Sequence, residues 1–122
     1  MYKIIVYSLG FFLITQPAFA HPPSNIQVQY NKSANEIMVT INHRIATGGH
    51  EKNRTHFIKE VILQLNGKLA DSKTFIYQNH SSLVKTSFLV PKHESDDILS
   101  IKAVCSTGSE LAKEIPVRDL LQ

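Results

Sequence analysis

The stretch His56–Gly67, "HFIKEVILQLNG", decides how this chain folds. From Phe57 to Leu65 it is dense in β-branched and large apolar residues, which suit the half-buried surface of a pleated strand. Asn66-Gly67 follows without a break, and that dipeptide takes up the positive φ that a two-residue hairpin turn demands. A strand that runs straight into a tight turn is the seed of an antiparallel sheet.

The segments on either side carry the same message. Residues 25–30, "NIQVQY", alternate through Ile26, Val28 and Tyr30, and residues 36–43, "EIMVTINH", place Ile37, Val39, Ile41 and His43 on one face. Residues 73–77, "KTFIY", and 83–90, "LVKTSFLV", are the next strand candidates, the second closing at Pro91. Residues 97–105, "DILSIKAVC", put Leu99, Ile101, Ala103 and Cys105 on one face. Residues 110–117, "ELAKEIPV", are the last candidate; 110–115 suit a helix by residue type but make a very short one. About seven short strands with regularly spaced turn signals predict an all-β fold, an immunoglobulin-like β-sandwich of antiparallel strands. The longest irregular stretch is residues 44–55, whose Gly48-Gly49 pair does not belong in a strong strand. Loops of this length in compact domains are often functional.

Residues 1–20 read differently from the rest. Lys3 precedes an apolar run from Ile4 to Ile14, and Ala18-Phe19-Ala20 forms a small-x-small cleavage site. This is the three-part layout of a secretory signal peptide, and the run is short for a transmembrane helix. The expectation is cleavage after Ala20 and export to the periplasm or medium, with no membrane anchor remaining. An uncleaved anchor is the alternative. The mature domain would run from His21 to Gln122, about 100 residues, enough for one domain and too few for two. The whole chain carries a net charge of +3 and shows no basic run of five residues, which argues against nucleic acid as a partner. No phosphate-cradling glycine loop or convincing nucleophilic triad stands out. The Asn-x-Ser/Thr triplets at Asn31, Asn53 and Asn79 are common by chance.

Six histidines and one cysteine hold the chemistry. A lone cysteine in an exported domain has no partner for an internal disulfide. Imidazole nitrogens with one thiolate make a ligand set for iron, copper or zinc. Structural zinc sites normally show paired Cys-x2-Cys spacing, absent here. His43 lies in phase with an apolar face, His50 in the long loop, His56 at a strand start and Cys105 at a strand end, while His21 would be the new N-terminus. Each has an ordinary reading as well. His43 suits a hydrogen-bonded core histidine, His50 a solvated loop residue and Cys105 a small buried hydrophobe. His80 and His93 sit in polar, turn-like surroundings and read as surface. A freed His21 could also chelate copper through its α-amino and imidazole nitrogens, joined by His43, His50 or His56.

Residues 50–68, "HEKNRTHFIKEVILQLNGK", resemble the segment of superoxide reductases (desulfoferrodoxin and neelaredoxin type) in which two iron-binding histidines lie six apart. There the second opens a His-aromatic-Ile strand; His50, His56 and Phe57-Ile58 match. "ILSIKAVC" is similar to the family's penultimate strand, which ends in the axial cysteine, at Cys105 here. "HPPSNIQV" is similar to its early His-x-Pro segment, at His21. The resemblance implies an immunoglobulin-like sandwich holding ferrous iron between histidine nitrogens and an axial thiolate, with superoxide as substrate and an external electron donor. It also marks the chain as divergent. The family follows its cysteine with Asn-x-His, whereas this chain reads Cys105-Ser106-Thr107-Gly108. Ala20 precedes His21 in place of a Glu-Lys pair, and Glu51 follows His50 in place of Pro. His43 could replace the missing ligand or be the direct partner of His56.

Three functions are therefore expected in competition. The first is an exported metal protein, with iron held by His50, His56 and Cys105 plus His21 and His43, in a redox or oxidative-defence role. The second is a non-catalytic binding or carrier module on the same fold. The third is a copper protein built on His21.

Overall fold

The computed structural model describes residues 23–45, 56–80 and 82–121. Among these residues seven antiparallel strands form two sheets, as the alternation predicts. The strands are β1 (Asn25–Asn31), β2 (Glu36–Asn42), β3 (Ile58–Leu65), β4 (Lys68–Thr74), β5 (Leu83–Leu89), β6 (Ile98–Cys105) and β7 (Glu110–Pro116). One sheet has the order β1-β2-β5 and the other β4-β3-β6-β7. A single turn of helix, α1 (Val117–Leu120), follows β7 directly.

The core lies between the sheets and is filled by the alternating positions. Ile37, Val39 and Ile41 of β2, Ile26 of β1 and Phe88 of β5 face Ile58, Val61 and Leu63 of β3 and Leu99, Ile101 and Ala103 of β6. Val39 pairs with Val28 on one side and Thr86 on the other, which places β2 at the centre of its sheet. At the sandwich margin the Lys113 ammonium of β7 donates to the Ile26 carbonyl of β1 at 3.1 Å, tying the two sheets together. Among the described residues no helix is long and apolar enough to cross a membrane.

One local expectation is corrected. The strand after Asn66-Gly67 is not residues 73–77 but Lys68–Thr74, because a two-residue turn returns the chain at once; Asn66 and Gly67 both have positive φ, 53° and 82°. Residues 75–77 lie outside it. Glu110–Pro116 is a strand, as expected of residues 110–117, and its pairing with β6 outweighs the helix-suited residue types of 110–115. Strand β3 does not alternate regularly along its length. Ile58 pairs with Cys105 and Glu60 with Val104, so a β-bulge interrupts β3 between these pairs. Such a bulge reverses which residues face inward. Val61 and Leu63 point into the core by odd number, and Ile58 by even number. The expected signal peptide, residues 1–20, lies outside the described residues.

Candidate metal centre

The end of β2, the start of β3 and the end of β6 meet at one end of the sandwich, and each brings one donor residue. His43 continues the inward phase of Ile37, Val39 and Ile41 one step beyond β2 and is 1% exposed. Cys105 closes the inward series of β6 and is fully buried. His56 precedes β3. The bulge gives it the inward parity of Ile58; in an unbroken strand continuing the phase of Val61 it would face away.

The ligand atoms of His43, His56 and Cys105 all lie within 4.8 Å of one another. His43 Nε2 is 3.4 Å from Cys105 Sγ. The His43 and His56 rings meet edge to face, with centroids 4.8 Å apart and planes at 87°. With metal–nitrogen bonds of about 2.0–2.1 Å and metal–sulfur bonds of about 2.3 Å, a nitrogen and a sulfur 3.4 Å apart subtend roughly 100° at a shared ion. Donors opposite one another across such an ion stand about 4.1–4.4 Å apart and adjacent ones closer, so the three donors would have to draw together to share an ion. The donor set fits a first-row transition metal.

A polar surround fixes these donors. Gln78, 2% exposed, places Oε1 2.9 Å from His43 Nδ1 and 3.4 Å from the Ile58 amide nitrogen. Its Nε2 donates to the carbonyls of His43 and His80, each at 2.8 Å. The Thr107 hydroxyl donates to Cys105 Sγ at 3.3 Å. The Ser106 amide donates to the Phe57 carbonyl at 2.7 Å, and the Phe57 amide to Ser106 Oγ at 3.0 Å; this clamps the residue after Cys105 to the residue after His56. Beside His43, an open cleft of about 380 Å³ is lined by Ser24, Asn42, Arg44, Ser82 and Leu83.

Cys105, His43 and Gln78 also stand in the order of a nucleophile, a base and an orienting amide. Acyl transfer also needs hydrogen-bond donors aimed at the developing oxyanion, often backbone amides beside the nucleophile. Here the Cys105 amide donates to Ser109 O and the Ser106 amide to Phe57 O, so both are engaged within the fold.

Of the five expected ligands, the fold unites His43, His56 and Cys105, while His21 and His50 lie outside the described residues. His43, weighed as a substitute ligand or as the partner of His56, stands against both His56 and Cys105. His80 and His93 are exposed, and each is bound locally, His80 to Ser82 and His93 to the Pro91 carbonyl. Gly108, which takes the place of the resembled family's histidine, sits in the turn between β6 and β7 with φ +100° and donates to the Cys105 carbonyl at 2.9 Å. That backbone conformation favours glycine over any side chain. Sequence reasoning passed over Gln78 and Thr107. Gln78 looks like one more polar residue in "YQNHSS", and nothing local marks it as buried. Comparison with known protein families, with curated proteins and with solved structures finds no match.

Proposed function

We propose that this chain is an exported redox protein that binds one transition metal through His43, His56 and Cys105, with iron as the favoured ion. The observation that carries this reading is the convergence of two imidazoles and one thiol from three strand ends within 4.8 Å, with His43 and Cys105 buried and His56 half-buried. A buried thiol flanked by two imidazoles is a donor set that first-row transition metals take. The sequence resemblance to superoxide reductases supports iron and an oxidative-defence role, with His21 and His50 as further ligands. A ferrous ion held there would supply one electron to superoxide, which with two protons leaves as hydrogen peroxide, and an external one-electron donor would restore the ion. The chain's own contribution is to hold the donors, to bury the sulfur, and to present Arg44 beside the cleft, where its positive charge draws small anions inward.

The same donors favour a second reading. Two histidines and one cysteine are the set that trigonal copper sites use. Copper would then be the resident ion, with electron transfer as the role. A metal-free carrier module predicts that neither ion binds. Anaerobic titration of the purified mature protein with ferrous iron and with cuprous and cupric copper, followed by metal analysis after desalting, separates the three. One retained iron per chain supports the proposal, retained copper alone supports the second reading, and no retained metal overturns both.

A further inference from the structure

We propose that Gln78 is the positioning residue of this centre: it holds His43 with the proton on Nδ1, so that Nε2 is the nitrogen offered to Cys105 and to a metal. The orientation of the Gln78 amide follows from its partners. One end faces two carbonyl oxygens, of His43 and His80, both at 2.8 Å. Only the NH₂ end has two protons to give them, and the reversed amide would set an oxygen against two oxygens. Oε1 is thereby turned towards the Ile58 amide and His43 Nδ1. An oxygen 2.9 Å from a ring nitrogen requires a proton between them, and the amide oxygen has none. The proton therefore resides on Nδ1. In the neutral ring this leaves the lone pair on Nε2, the nitrogen 3.4 Å from Cys105 Sγ.

The same amide does a second task. It grips the His43 carbonyl at the end of β2 and the Ile58 amide at the start of β3, two residues after His56. One buried side chain thus sets both the tautomer of one donor and the strand that delivers the other. A partner on the distal ring nitrogen is the usual way a ligating histidine is oriented, and its loss typically costs about 10–100-fold in metal affinity.

The tautomer stands independently of the metal reading, whereas the affinity effect rests on it, and the test keeps the two apart. Long-range ¹H–¹⁵N correlation spectra of the metal-free protein, with the His43 ring assigned through its contacts with His56, report the protonation of each nitrogen. The expected result is a protonated Nδ1, and a neutral ring protonated on Nε2 instead would overturn the inference whether or not any metal binds. In Gln78→Met, which keeps the volume and removes the amide, the tautomers are expected to mix and iron affinity to fall about 10–100-fold. An unchanged tautomer in a folded Gln78→Met protein would also overturn it. If that variant does not fold, the spectrum of the unaltered protein remains decisive.

Discussion

His43 Nε2 lies 3.4 Å from Cys105 Sγ, although the two residues are 62 positions apart and end strands of different sheets. The contact spans the sandwich at the end where His56 also arrives. The two histidines differ in their surroundings, and that difference predicts different costs of removal. His43→Ala opens a cavity in a buried site and takes the Nδ1–H from Gln78, so the metal-free protein should lose about 2–4 kcal/mol in urea unfolding. His56 is half-buried, and His56→Ala should cost about 1 kcal/mol or less. Added metal at 100 times its dissociation constant should stabilise the unaltered protein by about 2.7 kcal/mol and leave His56→Ala almost unmoved.

Gly108 predicts a backbone effect without a packing effect. Nothing lies within 4 Å of a Cβ built there, yet φ is +100°. Gly108→Ala and Gly108→His should therefore each lose about 1–2 kcal/mol from conformation alone, with similar unfolding midpoints despite their different sizes. A much larger loss for histidine would point to a clash that the open space does not suggest.

Thr107 is predicted to act on the sulfur. Its hydroxyl donates to Cys105 Sγ at 3.3 Å, and hydrogen bonds to a ligating thiolate draw electron density from it. Thr107→Val should leave iron content and fold unchanged and move the thiolate-to-iron absorption band and the reduction potential. An unmoved band and potential in the folded, loaded variant would remove Thr107 from the centre.

Far from the centre, Asp97 should govern part of the acid stability. The Glu94 backbone N–H and the Asn66 side-chain amide both donate to its carboxylate, holding its pKa below the ordinary 3.8. Because the folded value is the lower one, the stabilising contribution is complete above about pH 4 and is lost as the pH falls through the folded value. Asp97→Asn should flatten that part of the stability–pH curve, measured as the urea midpoint in steps below pH 5.

Much of this architecture is legible in the chain, for reasons that also explain what is not. The alternation in β2 and β6 settles which faces are buried, and with it the inward phase of His43 and Cys105. Strand β4 is hard to read because it is polar and largely exposed, so only the turn before it marks its start. The inward parity of His56 depends on a bulge that no local residue type announces. Gln78 is buried by the way its loop closes over β2 and β3, a tertiary outcome with no periodic signature. Pairwise proximity of His43 and Cys105 depends likewise on how the sheets stack, which strand phase alone does not specify.

The central claim is that Cys105 ligates a metal together with His43 and His56. Anaerobic iron loading followed by oxidation, recorded as a visible absorption spectrum, tests it most directly. The account predicts a thiolate-to-iron charge-transfer band in the unaltered protein that is absent from Cys105→Ala. A loaded protein with no such band, or a band that persists in Cys105→Ala, would contradict it.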